Sequence, residues 1–308
     1  MASDRTSLLT HPVVICLLAM VCCALWGSAF PCIKIGYRLF AIAGDDAASQ
    51  IVFAGIRFIL AGIINFIIGS VIIEKPLLPR KKDLPAIFAL SLFQTILQYL
   101  FFYLGLAHTT GVKASIITAT NVFWAILLAC FIFRQEKLSA FKLFGCLLGF
   151  VGVIVINAAG SGVSGGFSLT GDGFIILSAL ASGVSSNLIK RFSANANPVM
   201  LSAWQFIAGG VMLTVFGLAL GGRVAPALPG AIPMLLYLGC LSAIAYSLWS
   251  VLLSRNPVST VSVYGFMNPV AGFLLSALLL GEQGQASGLS SIAALVLVSL
   301  GIYIVNRD

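Results

Sequence analysis

The chain has 308 residues, 60% of them hydrophobic and only 8% charged, against about a quarter charged in an ordinary soluble domain, and its mean hydropathy is +1.08. That composition excludes a water-solvated globule, and continuous rather than alternating apolar runs exclude a closed barrel, which leaves helices to satisfy the backbone in lipid. The net charge of +8 does not mark a nucleic-acid face, because Lys and Arg are not clustered with aromatics, and seven cysteines, an odd number lying within apolar runs, exclude a disulfide framework.

A spanning helix uses about 20 apolar residues, so this length holds about ten with short connections. Arg5 precedes the first run, residues 13–36, which continues past Trp26 and is too long for a signal-peptide core. Further spans are expected at 48–73, 84–107, 115–133 and 140–157. A Gly/Ser stretch at 158–171 forms the longest flexible connection, and spans at 174–189, 199–220, 232–253, 258–280 and 288–305 follow. The expected fold is an all-α integral membrane protein of ten transmembrane helices, arranged as two inverted five-helix repeats. The first repeat covers 1–157, a linker 158–171 and the second repeat 172–308.

Cytoplasmic connections are enriched in Lys and Arg. With the N-terminus inside, the inner side carries Arg5, Lys75, Arg80, Lys81, Lys82, Arg134, Lys137, Lys142, Lys190, Arg191, Arg255 and Arg307. The outer side carries only Lys34, Arg38, Lys113 and Arg223, and Arg57 lies within a span. Both termini are therefore expected in the cytoplasm of a bacterium, with the spans in its inner membrane.

The second half repeats the first in order. Residues 54–62, with Arg57-Phe58, align with 202–210, with Gln205-Phe206, at an offset of 148. Residues 26–34 align with 182–190, and Tyr99 falls near Tyr246. Glu136 and Glu282 each end a fourth span, and Asn157 and Asn306 a fifth. Five spans is an odd number, so a second copy enters the membrane from the opposite side, as in many carriers.

At these residues the chain resembles the ten-helix EamA-type branch of the drug/metabolite transporter superfamily. The resemblance rests on Trp26-Gly27-Ser28-Ala29-Phe30, on Arg57-Phe58, and on two spans ending in Glu: 114–136, and Asn268-Pro269 through Leu280-Gly281-Glu282. One departure is Asn121-Val122-Phe123, where members of that family often have a proline. The resemblance implies that spans one to four and six to nine line a central cavity while five and ten are peripheral. It also implies a secondary carrier for amino acids, other metabolites or drugs, often outward.

Arg57 sits deep in its span, where a cation faces a partner, a cavity or a substrate. Its guanidinium suits a carboxylate or phosphate; the alternative is a structural bond to backbone carbonyls. Lys34, near a helix end, reads as an interface charge. All nine acids, Asp4, Asp45, Asp46, Glu74, Asp83, Glu136, Asp172, Glu282 and Asp308, lie at or beyond span ends. That argues against a cationic-drug exporter, which generally needs a mid-membrane carboxylate. Glu136, beside Arg134 and Lys137, reads first as a solvated end charge and second as a group at a cavity mouth.

Polar and aromatic residues mark candidate cavity faces. Gln94 and Gln98, Tyr264 and Asn268, and Tyr246 and Ser250 are each one turn apart. Trp26, Ser28, Tyr99, Asn121 and Trp124 supply further lining in the first half, and Asn187, Trp204, Gln205 and Trp249 in the second. Pro31 and Pro269 lie deep in spans, each four residues after a glycine, Gly27 and Gly265, which relieves the ring's clash and suggests two hinges. Gly145 and Gly149 form a small-residue packing face of the kind that can serve a homodimer.

Only two histidines are present, His11 and His108, both near span ends. With no mid-membrane carboxylate pair, metal-ligand cluster or G-x-x-x-x-G-K-[ST] loop, the expectation is neither an enzyme nor a primary pump, and no cofactor. The expected partners are the bilayer and a neutral, zwitterionic or anionic small molecule. A sensor or scaffold is the alternative from another class.

Overall fold

In a computed structural model the described residues are 8–106, 108–109, 111–161, 167–280 and 288–307. Asp4, Arg5, Glu282 and Asp308 lie outside them. Among the described residues the chain is helical throughout, with no strand. The helices are α1 (Pro12–Leu39), α2 (Ala47–Ile73), α3 (Lys81–Leu106), α4 (Gly111–Ala119 and Asn121–Phe131) and α5 (Ala140–Ser161). They continue as α6 (Leu169–Phe192), α7 (Pro198–Ala219), α8 (Ala231–Arg255), α9 (Val258–Leu280 in three pieces) and α10 (Gly288–Val305).

Eight of these stretches are long and apolar enough to cross a membrane, and α5 and α10 contribute shorter apolar stretches, Ala140–Val155 and Ile292–Val305. Their outward surfaces are apolar: Phe141, Phe144 and Leu147 on α5 and Ile292 and Val296 on α10 are exposed, as lipid requires. The protein is a multi-pass membrane protein.

Helix ends follow local chemistry. Asp46 Oδ1 accepts the Ser49 N–H at 2.9 Å and caps α2, and the bonds from Ser49 hold its carboxyl below the usual range. Asn197 Oδ1 accepts from Val199 and Met200, and Pro198 opens α7 where its missing N–H costs nothing. Of the expected connection 158–171, residues 162–166 lie outside the described ones. Helix α5 reaches Ser161, and α6 opens at Leu169 with a π turn in which Ser168 Oγ accepts the Gly171 N–H at 3.1 Å.

Three helices are irregular. Helix α4 breaks at Thr120 although no proline is there, and α9 passes through a 3₁₀ segment at Val263–Phe266. The Thr120 hydroxyl donates to Ile117 O at 2.6 Å, a side-chain bond that competes with helix continuation. Helix α3 contains a π-helical segment, Ser91–Leu97. Helix α1, in contrast, runs unbroken through Pro31.

Glycine sets the two closest helix pairs. A Cβ on Gly62 of α2 would lie 2.6 Å from Ala203 O and 2.8 Å from Ile207 N on α7. A Cβ on Gly210 would lie 2.8 Å from Gly55 O and 2.8 Å from Ile59 N, the same contact with the two helices exchanged. Moving along α2 from Gly55 to Gly69, the partners fall from Thr214 to Val199, so the helices are antiparallel. Gly145 and Gly301 likewise pack α5 antiparallel on α10, which gives the small-residue face a partner within the chain rather than in a second copy. Around these pairs, α1 packs on α8 and α9, as α6 packs on α3 and α4; α8 also packs on α2, as α3 packs on α7.

Overpacking a filled contact costs about 1–3 kcal/mol, and here the obstacle is backbone. Gly62→Leu is expected to lower the melting temperature of purified protein by several degrees or prevent its recovery. Gly44→Ala, with nothing within 4 Å, is the matched control and should be neutral.

Candidate functional site

Arg57 of α2 is 3% exposed. Its Cζ lies 4.5 Å from the centre of the Phe58 ring and 5.7 Å from that of Tyr99. Tyr103 and Tyr246 lie in the same buried cluster as Phe58, with Tyr99 packed against it. The ion pairs among the described residues, Arg80–Asp83, Lys113–Asp172 and Lys142–Glu136, leave Arg57 without a carboxylate. Its Nε has no hydrogen-bond partner. Removing a charge from water costs several kcal/mol unless it is paired, so a buried cation held by ring faces is able to pair with an anion.

The rings around Arg57 meet in equivalent pairs. Phe58 stacks on Phe206, 148 positions later, with centroids 5.1 Å apart and planes 5° from parallel. Tyr99 OH and Tyr246 OH share a 2.6 Å hydrogen bond. Trp26 of α1 packs edge-on against both Tyr246 and Trp249, each at 5.0 Å, and its Nε1 has no partner. The structure thus brings together five expected residues, Trp26, Arg57, Tyr99, Tyr246 and Trp249. Tyr103, Phe58 and Phe206 belong with them and are not among the cavity candidates read from the sequence. The four-residue spacing of Tyr99 and Tyr103, and the repeat of Phe58 at Phe206, were signals available in the sequence.

A second group lies on α3 and α7. Gln205, at the position equivalent to Arg57, is fully buried; its Oε1 accepts from Thr95 Oγ1 at 2.7 Å and its Nε2 has no partner. Ser91 Oγ donates to Gln205 O at 3.1 Å, so the π segment of α3 is fastened to this residue, and π segments recur at functional sites. Gln94 is buried in the same segment, and Gln98 O accepts from Ser178. Trp204 points elsewhere: its Nε1 donates to Leu77 O at 2.8 Å and its ring meets Phe66, tying down the connection after α2.

A third group lies where α4, α6 and α9 meet. Asn187 Nδ2 donates to Ala125 O and Gly183 O, both at 2.9 Å, and clamps α6 to α4. Gly183 leaves no space against the Trp124 and Ala125 backbone, as Gly27 leaves none against Ala271 and Gly272. The Gly27 contact gives that glycine a packing reason independent of bending. Gly265 lies in the 3₁₀ segment, near Val122 and Asn121, with Asn268 and Pro269 just beyond. Tyr264 faces α1, its carbonyl accepting from Cys23 Sγ. Ser28 donates to Leu25 O at 2.8 Å and pairs with Tyr237 OH at 2.9 Å on an exposed edge.

Both ends of the bundle are tied across the halves. At the end carrying the α1 N-terminus, Glu136 Oε1 accepts the Ser259 N–H at 3.1 Å, Oε2 accepts from Ser259 Oγ, and Lys142 Nζ lies 3.0 Å from Oε2. The reading of Glu136 as a solvated end charge is therefore corrected. Its side chain is 8% exposed, because the first turn of α9 presents the N–H groups and dipole that attract a carboxylate. At the opposite end Asp172 accepts from Thr109 Oγ1 at 2.5 Å and pairs with Lys113 at 3.3 Å. Backbone N–H groups of Ala227 and Leu228 donate to Leu39 O there.

A cavity of about 340 Å³ opens between Thr10, Pro12, Arg255, Tyr264 and Asn306. It reaches none of the residues around Arg57. Arg57 itself is buried in this conformation.

The sequence model of the EamA-like transporter family matches residues 13–158 and 169–307. An uncharacterized transporter of Archaeoglobus fulgidus is 29% identical over 288 residues, covering 92% of this chain and 95% of its own. A probable terminal-alkyne amino-acid exporter of Streptantibioticus cattleyicolor is 26% identical, covering 92% and 90%. A probable amino-acid metabolite efflux pump of Salmonella typhimurium is 26% identical, covering 93% of each. A solved crystal structure of a protein superposes with a TM-score of 0.75 at 18% identity over 94% of both chains, a likeness of fold.

Proposed function

The chain belongs to the EamA-like transporter family, and from that premise we propose that it is a secondary carrier exporting a small metabolite with an anionic group, amino acids first, across a bacterial inner membrane. Its relatives are named as transporters, and it is not an enzyme. Its substrate is a small molecule and its solvent the bilayer. Arg57 carries the reading: a buried guanidinium with no carboxylate partner among the described residues supplies charge to a visitor that lacks its own partner.

The proposed transport cycle is alternating access between two inverted five-helix repeats with both termini cytoplasmic. Its support is that equivalent residues meet one another. Phe58 stacks on Phe206, Tyr99 bonds Tyr246, and the Gly62 and Gly210 contacts exchange under the 148-residue offset. The antiparallel packing of α2 on α7 supports a two-fold axis that crosses the helices and lies in the membrane plane. Ten spans, with α5 and α10 completing the two sets, accommodate this symmetry. Arg57 lies beside the axis and its counterpart is Gln205, so one half supplies the charge and the other an amide. The conformation described is the occluded one, with an inner seal at Glu136–Ser259 and an outer seal at Asp172–Thr109–Lys113. The 3₁₀ segment of α9 at Gly265 and the break of α4 at Thr120 are the proposed bending points.

Proteoliposomes loaded with labelled amino acids, organic acids and uncharged metabolites test this reading. Saturable flux of an anionic or zwitterionic compound is expected, and a reconstituted, folded protein that moves none of them would defeat it. The sensor alternative predicts binding without flux.

A further inference from the structure

The fourth helix of each half carries the same polar stripe. Ser115, Thr118 and Asn121 on α4, and Ser262, Gly265 and Asn268 on α9, recur three residues apart at an offset of 147. That spacing keeps each set on one helix face. The stripes approach each other at the two helix irregularities, where a Cβ on Gly265 would lie 3.9 Å from Asn121 Oδ1. Asn268 is one turn from Gly265, a spacing of about 5–6 Å between Cβ atoms.

Along this seam four buried oxygens have no hydrogen-bond partner: Thr118 Oγ1, Asn121 Oδ1, Ser262 Oγ and Asn268 Oδ1. Asn121 Nδ2, in contrast, faces Ser182 Oγ at 3.5 Å, so it is the acceptor end of this amide that is left open. An unpaired buried acceptor is costly, and in native proteins it calls for an explanation such as an unfilled ligand position. The two amide oxygens only accept and the two hydroxyls can accept as well, so together they suit a group that donates.

We propose that the α4–α9 seam is a subsite for the ammonium group of the substrate. Its principal acceptors are Asn121 Oδ1 and Asn268 Oδ1, with the Thr118 and Ser262 hydroxyls beside them. This inference rests on the carrier reading above and adds a second recognition element to it. Arg57 takes the anionic end; Trp26 packs on Tyr246 of the Arg57 cluster, and the next residue, Gly27, abuts Ala271 of α9, three residues from Asn268, so α1 links the two elements. A compound with only the anion would satisfy Arg57 and leave the seam unpaired. The seam therefore sets selectivity for amines over their isosteric alcohols.

The test uses the full chain in proteoliposomes, with labelled L-leucine and L-phenylalanine and the α-hydroxy acid corresponding to each. Asn121→Leu and Asn268→Leu should each cut amino-acid flux about tenfold or more, the worth of a charge-assisted hydrogen bond, and reduce hydroxy-acid flux by clearly less, because a neutral hydroxyl donates only one weaker bond. Asn121→Asp and Asn268→Asp, which keep the acceptor, should retain the preference for the amine, with melting temperature confirming that every variant is folded. Equal loss of both substrates in the Leu variants would overturn the subsite and leave a packing role. Replacing Na⁺ by choline should change nothing; if it removes flux as the Leu variants do, the seam holds an inorganic cation and the proposal fails. Absence of flux for both amino acids in the unaltered protein would instead remove the carrier reading on which the proposal rests.

Discussion

Arg57→Met is expected to abolish transport of an anionic or zwitterionic substrate while leaving the melting temperature unchanged or raised. The two signs follow from the same burial. Without a carboxylate partner, the guanidinium is a desolvated charge whose penalty of several kcal/mol is only partly offset by ring faces worth about 0.5–2 kcal/mol each. Met has similar length and no charge, so stability does not suffer. The bound anion, in contrast, loses a buried charged partner, which costs about 2–5 kcal/mol, or a flux reduction on the order of a hundredfold or more at limiting substrate. Arg57→Lys should recover only part of this, since an ammonium lacks the planar fork. A variant that unfolds, or that slows uncharged and anionic compounds alike, would assign Arg57 a structural role.

The second large effect is at the inner seal. Glu136 joins the end of α4 in one half to the first turn of α9 in the other, and Lys142 neutralises it with both side chains largely buried, 8% and 12% exposed. Glu136→Ala removes the acceptor for the Ser259 N–H and leaves Lys142 unpaired, a loss of about 3–5 kcal/mol for a buried pair broken on one side. In the proposed cycle this pair forms when the inner end closes, so its loss is expected to shift the protein toward the inward-open arrangement. Single-cysteine labelling reads this directly. In inside-out vesicles the reaction rate of Ser262→Cys, a position 4% exposed, should rise at least tenfold on adding Glu136→Ala. Glu136→Gln, still able to accept from Ser259, should fall between. An unchanged rate would mean that Glu136 braces α9 without gating it.

Much of the architecture is legible in the sequence because lipid imposes it: long apolar runs have to become helices, and a lone mid-span arginine has to be buried. The pairing of Phe58 with Phe206 was likewise readable as an offset before it was visible as a stack. What the sequence conceals is which face of an apolar helix looks inward. In water a hydrophobic stripe marks the interior, but in a bilayer both faces are apolar, so Trp204 and Gln205 are both candidates although adjacent. The structure sends one to Leu77 and the other to Thr95. The break in α4 was hidden for another reason. Proline is the usual signal, and here a threonine hydroxyl bonding to Ile117 O does the work instead. Glu136 was misjudged because its partner, Ser259, is 123 residues away.

The central claim is that two like bundles cross the membrane in opposite senses. Lys75, after α2, and Arg223, after α7, are equivalent under the 148-residue offset. The direct test places one cysteine at either position, in a background where Cys16 and Cys240, the exposed native thiols, are replaced by serine. With a membrane-impermeant maleimide on intact cells, Arg223→Cys should label at once and Lys75→Cys only after permeabilisation. Labelling of both positions from the same side would contradict the opposed orientation and with it the proposed transport cycle.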